Sequence, residues 1–462
     1  MAPNLAKAIV TYFFTFNALL PWPLALAEEP ALPEGLLFES DSVVEMGEPP
    51  PATETIRSFL DDLTFHGFVD IRTSARVNAD SRQKDFSLAE VRSRINTDAQ
   101  ISDLKATLTA DFVYDPIVDP DDLNLSTGRG FIDLREAYLV ARPLSFMDIK
   151  LGRQVLTWGT GEFLFINDLF PKDFGSFFIW RDTDFLKAPS DALRTGIYTP
   201  FVNIDFVYTP QFDANRFIDG RRITFFNSFS GELNGREQPL EFIKPSDWFT
   251  DDEFALRLYK VFGGLELALY GYRGFWKNPV GNAPDIRRAI FPRLAVYGAS
   301  ARGPLLGGIA SIEAGYYDSL DNRDAQDSNE APSELRLLAA YEKEVLPELL
   351  VATQYYVERI QRFGTYQKSI ENLTFHDRER YRHVATLRFE KCFYQKTFRL
   401  TIFLQAGLSE SDGLVRSSLN YEASDSLKLS LHSNIFLGSR ESTSFGQFEN
   451  ASSVGTALRY AF

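Results

Sequence analysis

The chain has 462 residues, a formal charge of -15 and a single cysteine, Cys392. One cysteine excludes an intramolecular disulfide framework and any cysteine-rich metal or iron–sulfur site, and the acidic balance gives no footing for nucleic-acid binding, which needs a basic surface. Apolar residues make up 44% and aromatics 14%, with 41 Phe and 19 Tyr, so the composition is not that of a disordered chain.

Residues 1–27 have the features of a signal peptide. Lys7 is the only charge, an apolar stretch runs from Ile9, and Ala25-Leu26-Ala27 fits a small-x-small cleavage site. Pro21 and Pro23 argue against a helical membrane anchor. Cleavage would remove Lys7 and take the net charge from -15 to -16. Residues 28–63 begin with a stretch rich in Pro and Glu, including Pro30, Pro33, Pro49, Pro50 and Pro51, and read as a periplasmic lead-in. No later stretch approaches the ~20 uninterrupted apolar residues of a spanning helix.

From Thr64 to Phe462 the dominant period is two. Phe398, Leu400, Ile402, Leu404, Ala406 and Leu408 share one face, with Arg399, Thr401 and Gln405 on the other; 104–114 and 427–437 repeat the pattern. The strands expected are 64–79, 86–98, 103–114, 131–142, 146–156, 191–199, 202–210, 253–262, 265–275, 291–302, 306–318, 333–343, 348–360, 380–392, 397–408, 413–423, 427–438 and 452–462. Each is near the ~10 residues that a tilted membrane strand needs. Long polar connections (115–130, 157–190, 211–252, 276–290, 319–332, 361–379, 439–447) alternate with tight turns such as Phe262–Gly264 and Phe393–Lys396. This predicts an all-β fold: a transmembrane antiparallel β-barrel of about eighteen strands, with short periplasmic turns and long extracellular loops. Closure is required because unpaired backbone groups are costly in lipid. It also accommodates a sequence of modest hydropathy, since only one face of each strand meets lipid.

Taking the polar face as inward gives a lumen lined by Arg72, Arg76, Arg92, Arg94, Lys105, Arg135, Arg194, Arg257, Arg388, Arg399 and Arg416, together with Lys150, Arg293, Arg336, Arg382, Lys428 and Arg459. Inward acids are fewer on this reading: Asp70, Asp111, Asp133, Glu266, Glu334, Glu358, Glu390 and Glu422. The remaining negative charge falls in loops, in clusters such as Asp119, Asp121 and Asp122 or Asp318, Asp321, Asp324 and Asp327. A basic pore favours anions; pairing of the same arginines with wall acids would leave it unselective.

The connection 157–190 carries Trp158, Phe163, Phe165, Phe170, Phe174, Phe177, Phe178, Trp180 and Phe185. So much apolar surface needs a partner. The expectation is an inward fold, with the aromatics on the wall and Lys172, Asp173, Arg181, Asp182, Asp184 and Lys187 at a constriction. Just before it, Leu151-Gly152-Arg153-Gln154 followed by Trp158-Gly159 resembles the Gly-Arg-Gln strand end of monomeric porins of the alginate-export type and related large barrels. The resemblance implies about eighteen strands, a basic lumen and pore-occluding loops. Strict alternation from Lys150 puts Arg153 on the lipid side, where the resemblance implies an inward role. The terminal strand ending in Phe462 resembles the assembly signal of bacterial outer-membrane proteins, which implies the barrel-assembly machinery as a partner.

The histidines His66, His376, His383 and His432 are scattered, without metal-ligand spacing, and Trp158-Gly159-Thr160-Gly161 is no phosphate loop. No catalytic residue, metal or cofactor is expected. The reading is a passive channel of the cell outer membrane for hydrophilic, anionic solutes, with membrane lipid and lipopolysaccharide as surroundings. The alternatives are a barrel sheath around a partner such as a redox carrier complex, and an outer-membrane hydrolase.

Overall fold

In the computed structural model the described residues are 64–462, except 102, 119–122, 229, 284, 286 and 372–377. The segments expected as signal peptide and lead-in, His376 and the run Asp119, Asp121 and Asp122 lie outside the described residues.

Eighteen strands form one sheet. They are β1 Thr64–Arg76, β2 Phe86–Ile101, β3 Leu104–Tyr114, β4 Ile132–Leu144, β5 Met147–Val155, β6 Pro189–Tyr198, β7 Asn203–Thr209, β8 Glu253–Phe262, β9 Leu265–Phe275, β10 Arg293–Leu305, β11 Gly308–Ser319, β12 Glu334–Leu346, β13 Leu349–Ile360, β14 Tyr381–Phe393, β15 Phe398–Gly407, β16 Asp412–Glu422, β17 Leu427–Leu437 and β18 Ser453–Ala461. Each pairs antiparallel with its neighbours in sequence. β18 pairs with β1 from Phe68↔Ala461 to Arg76↔Ser453, which closes the barrel and leaves no edge. Every expected strand is present, with ends shifted by a few residues at most.

Connections at one end of the barrel are tight. Gly263 and Gly264 take φ of 56° and 85°, the left-handed pair that a two-residue hairpin turn requires. Connections at the other end are long. They hold two short helices, α1 Phe174–Phe178 and α2 Phe363–Ile370, and short strands at Phe225–Asn227, Glu232–Asn234, Phe242–Ile243, Gly281–Ala283 and Arg288–Ile290.

The alternation sets the two faces. On β9, Leu265, Leu267 and Leu269 are exposed outward while Ala268, Tyr270 and Tyr272 are buried. Leu, Ile, Val, Phe and Tyr side chains are exposed on strands all round the sheet, as a surface in contact with a hydrocarbon layer requires. One phase is reversed relative to the sequence reading. On β10 Leu294 and Val296 are the buried pair, and Arg293 points the other way to an exposed ion pair with Asp321 at 2.5 Å. The apolar face of this strand meets protein inside the barrel, so "apolar outward" assigns Arg293 to the wrong side.

Candidate functional site

The interior is organised around the 157–190 connection. Its first part lies on the β8–β14 wall. Trp158 packs edge-on to Phe170 with ring centroids 4.9 Å apart and tilts against Tyr270 at 6.2 Å. Ile166 is fully buried, and its carbonyl accepts from the Tyr317 hydroxyl at 2.5 Å. Glu313 of β11 collects this stretch. Its carboxylate accepts from the backbone N–H groups of Thr160, Gly161 and Asn167 and from Asn167 Nδ2. Glu162 reaches Arg388 of β14 at 2.9 Å; burial raises its carboxyl above the ordinary range, against the pull of Arg388.

Lys172 and Asp173 then turn the chain. Lys172 is buried, with Nζ 2.8 Å from Asp168 and 2.7 Å from the Phe170 carbonyl; burial lowers its pKa against the opposing pull of Asp168. Asp173 caps α1 by accepting from Ser176 N at 2.7 Å. Both side chains are engaged within the protein and hold the segment's shape.

The second part meets the β1–β4 and β16–β18 walls. Arg181 pairs with Glu90 of β2. Asp182 lies 2.7 Å from both Arg72 and Arg459. Burial alone would raise the Asp182 carboxyl; the two guanidiniums overcome this and bring it down to about 2. The Phe185 ring is surrounded by Arg92, Arg94 and Arg135, with guanidinium carbons 4.6, 4.9 and 5.3 Å from its centroid. Arg135 donates to the Lys187 carbonyl at 2.5 Å and, more distantly, to that of Asp184 at 3.4 Å. Trp180 Nε1 donates to the Ser433 carbonyl of β17 at 2.8 Å.

Most of the expected wall cations carry a carboxylate partner. Arg92 bonds Glu90 and Asp111 at 2.7 Å, and Arg94 bonds Asp111 at 2.6 Å. Arg194 pairs with Asp205, Arg257 with Glu266, Lys105 with Asp98, and Arg399 with Glu390. Arg76 instead donates to the carbonyls of Lys84 and Arg222, at 2.8 and 2.7 Å. Arg416 donates to Asn434 Oδ1 at 3.2 Å, its guanidinium 4.0 Å above the Phe177 ring. Sequence reading missed several inward carboxylates: Glu90, Asp205, Glu253, Glu313 and Glu342. All stand in the polar phase of their strands, so alternation could have found them. Arg216 carried no signal. It sits in the 210–252 loop and reaches Asp133 at 2.9 Å and Asp173 at 3.4 Å.

Arg153 keeps the phase that alternation gave it. Gly152 has φ of 125°, where a Cβ would lie 2.3 Å from the Ala137 carbonyl, and Arg153 pairs across the sheet with Asp191 at 2.7 Å.

Two cavities flank the crossing segment. The larger, about 510 Å³, opens among the long loops and has Asp173, Ser176, Ile179 and Arg181 along one side. The smaller, about 250 Å³, is lined by Thr160, Glu162, Arg302, Glu342, Gln354 and Arg388.

Solved barrels of similar shape include OccAB1 of Acinetobacter baumannii, at TM-score 0.50 and 9% identity over 87% of this chain and 97% of that chain. The fold is that of an outer-membrane porin. OccK9 (OpdG) of Pseudomonas aeruginosa is similar to the same degree, with TM-score 0.50 and 10% identity over 87% of this chain and 98% of that one. No protein-family model matches the sequence, and no curated protein matches it. Within the porin fold the apolar outer surface is the lipid-facing one, and the long loops mark the extracellular side.

Proposed function

We propose that the protein is a non-enzymatic outer-membrane channel for passive passage of hydrophilic solutes, with a preference for anions, and that the 157–190 segment forms its constriction. The observation that carries this reading is the outer cavity. Among the described residues seven basic side chains line it, including Arg216, Arg221, Arg222 and Arg236, against three carboxylates, Asp115, Asp173 and Asp219. Partly desolvated cations at a mouth raise the local anion concentration. Arg221 and Arg222 pair with Asp219 and Asp115 at this mouth, and it is the excess of cations over carboxylates in the lining that sets the bias there. The sheath alternative fits less well, because the 157–190 segment occupies interior space that a threaded partner would need.

The test is a planar-bilayer recording under a salt gradient. Single-channel steps with an anion-biased reversal potential are expected, and Arg221→Gln with Arg236→Gln should move that potential toward zero. Absence of steps, or a cation bias, would end the proposal.

A further inference from the structure

We propose that His432 and Trp180 form a pH-operated latch: the neutral imidazole holds the 157–190 segment against the wall, and its protonation releases the segment and widens the passage. This rests on the channel reading above and adds its regulation.

The latch is built from four strands and one loop. His432 on β17 is 2% exposed, and neither Nδ1 nor Nε2 has a hydrogen-bond partner. The Trp180 indole stacks on it at 4.7 Å and 17°. On the β18 side the space is tight, since a Cβ at Gly455 would lie 2.6 Å from Nε2. Trp180 is held in a strained backbone conformation, φ 68°, rare for a bulky side chain. What holds it there is its Nε1 bond to the Ser433 carbonyl, the Arg72 Nη1 bond to its own carbonyl at 3.1 Å, and the neighbouring bond from Asn434 Nδ2 to the Phe178 carbonyl at 2.7 Å.

The charges around the ring decide the direction. Arg72 on β1 and Arg416 on β16 lie beside the stack, Arg72 bonded to the Trp180 carbonyl and the Arg416 guanidinium 5.1 Å from the Trp180 ring centroid, and Asp182 of the loop is a carboxylate nearby. Asp182 is committed to Arg72 and Arg459, and Arg459 with Asp70 completes the group. An imidazolium here would face two guanidiniums with no acceptor for either N–H. A buried cation without a partner is strongly disfavoured. The proton is accommodated when Trp180 withdraws and water reaches the ring. The latched state therefore binds fewer protons than the released one, and acid favours release. Asp182, held at about 2, stays ionised from pH 5 to 8, so its ion pairs do not titrate in the same window.

The experiment records single channels of the whole protein in planar bilayers at pH 7.5 and 5.0. Occupancy of a high-conductance level relative to the low one should rise about thirtyfold, the ratio for an imidazole with pKa ~6.5 when released and unprotonated when latched. His432→Phe keeps a ring for Trp180 to stack on and should abolish the rise; His432→Gln should do the same if the aromatic variant fails to assemble. Trp180→Phe loses the bond to Ser433 and should raise high-level occupancy already at pH 7.5. Glu330 titrates nearby in pH, its carboxyl raised to about 6 by burial beside Asp321 and Asp327, and Glu330→Gln should leave the rise intact. Steps that do not change between the two pH values, or a rise that survives in His432→Phe, would overturn the latch and leave the channel reading standing. Silence at every pH would overturn both.

Discussion

Two stretches of one barrel wall meet one loop in opposite ways. Across β8–β13 the inner face is built from Ala255, Ala268, Tyr270, Tyr272, Leu294, Val296 and Tyr356, and it receives Trp158, Ile166 and Phe170 in a continuous apolar cluster. Across β1–β4 the inner face is Asp70, Arg72, Glu90, Arg92, Asp111, Asp133 and Arg135, all buried, and it receives Arg181, Asp182 and Phe185. An inward position is therefore not polar by rule. It takes whatever chemistry its interior partner brings. The first part of the segment brings hydrocarbon and free backbone N–H groups; the second brings charges. The apolar side gains from area removed from water. The charged side gains only while every ion keeps its partner.

That difference makes the two walls unequal targets for substitution. The largest effect is expected at Arg92, where one guanidinium serves Glu90 and Asp111 and lies 3.8 Å from Asp133. Arg92→Met fits the space and removes two charge-assisted hydrogen bonds from buried carboxylates at once, at a cost of about 3–5 kcal/mol, while Glu90 keeps Arg181 and Asp111 keeps Arg94. The midpoint temperature at which the folded band disappears in unheated-to-heated SDS electrophoresis should drop clearly. A midpoint equal to wild type would mean that the charged wall is wet and screened, and the contrast between the walls would collapse.

Glu313→Ala comes next, and it acts on the loop more than on the barrel. It takes one acceptor away from Thr160 N, Gly161 N and Asn167 N, and each buried donor left without a partner costs about 1–3 kcal/mol. The strands β11 and β12 keep their own ladder, so the SDS midpoint should move less than in Arg92→Met. The 157–170 stretch should become cleavable by added protease and the single-channel conductance noisier. Unchanged protection would show that the Trp158 cluster alone is sufficient to hold this end of the segment.

The barrel was legible from residues because lipid and closure impose one rule on every strand, and that rule is written in each ten-residue stretch. Leu427, Leu429 and Leu431 against Lys428, Ser430 and His432 suffice to orient β17. The interior was legible only in part. Phase sets the side of the sheet for Arg72, Arg92 and Arg388, but phase does not say who faces them. Arg216 comes from a loop more than eighty residues from Asp133 in sequence. Arg293 was assigned inward because Leu294 and Val296 look like lipid-facing residues, whereas their partners belong to the 157–190 segment. The basic excess expected for the lumen came from counting arginines while passing over Glu90, Glu313 and Glu342. An alternation pattern reports the side of a sheet; the contents of the lumen depend on contacts that no single strand encodes.

The smallest effect is expected on the tyrosine wall. The Tyr272 hydroxyl donates to Glu253 and lies 3.0 Å from the Phe275 carbonyl, a buried polar arrangement like that at Arg92. It differs because Lys277 Nζ already reaches both Glu253 oxygens, at 2.7 and 2.8 Å. Tyr272→Phe leaves that carboxylate paired and the ring packing intact, so the loss should be about 0.5–1.5 kcal/mol, the net value of one hydrogen bond. Measured by the same SDS midpoint, it should sit close to wild type and well above Arg92→Met. A drop as large as that of Arg92→Met would place the tyrosine wall among the charge-dependent parts of the interior, and its stability would then have to be argued from Glu253 and Lys277 rather than from buried area.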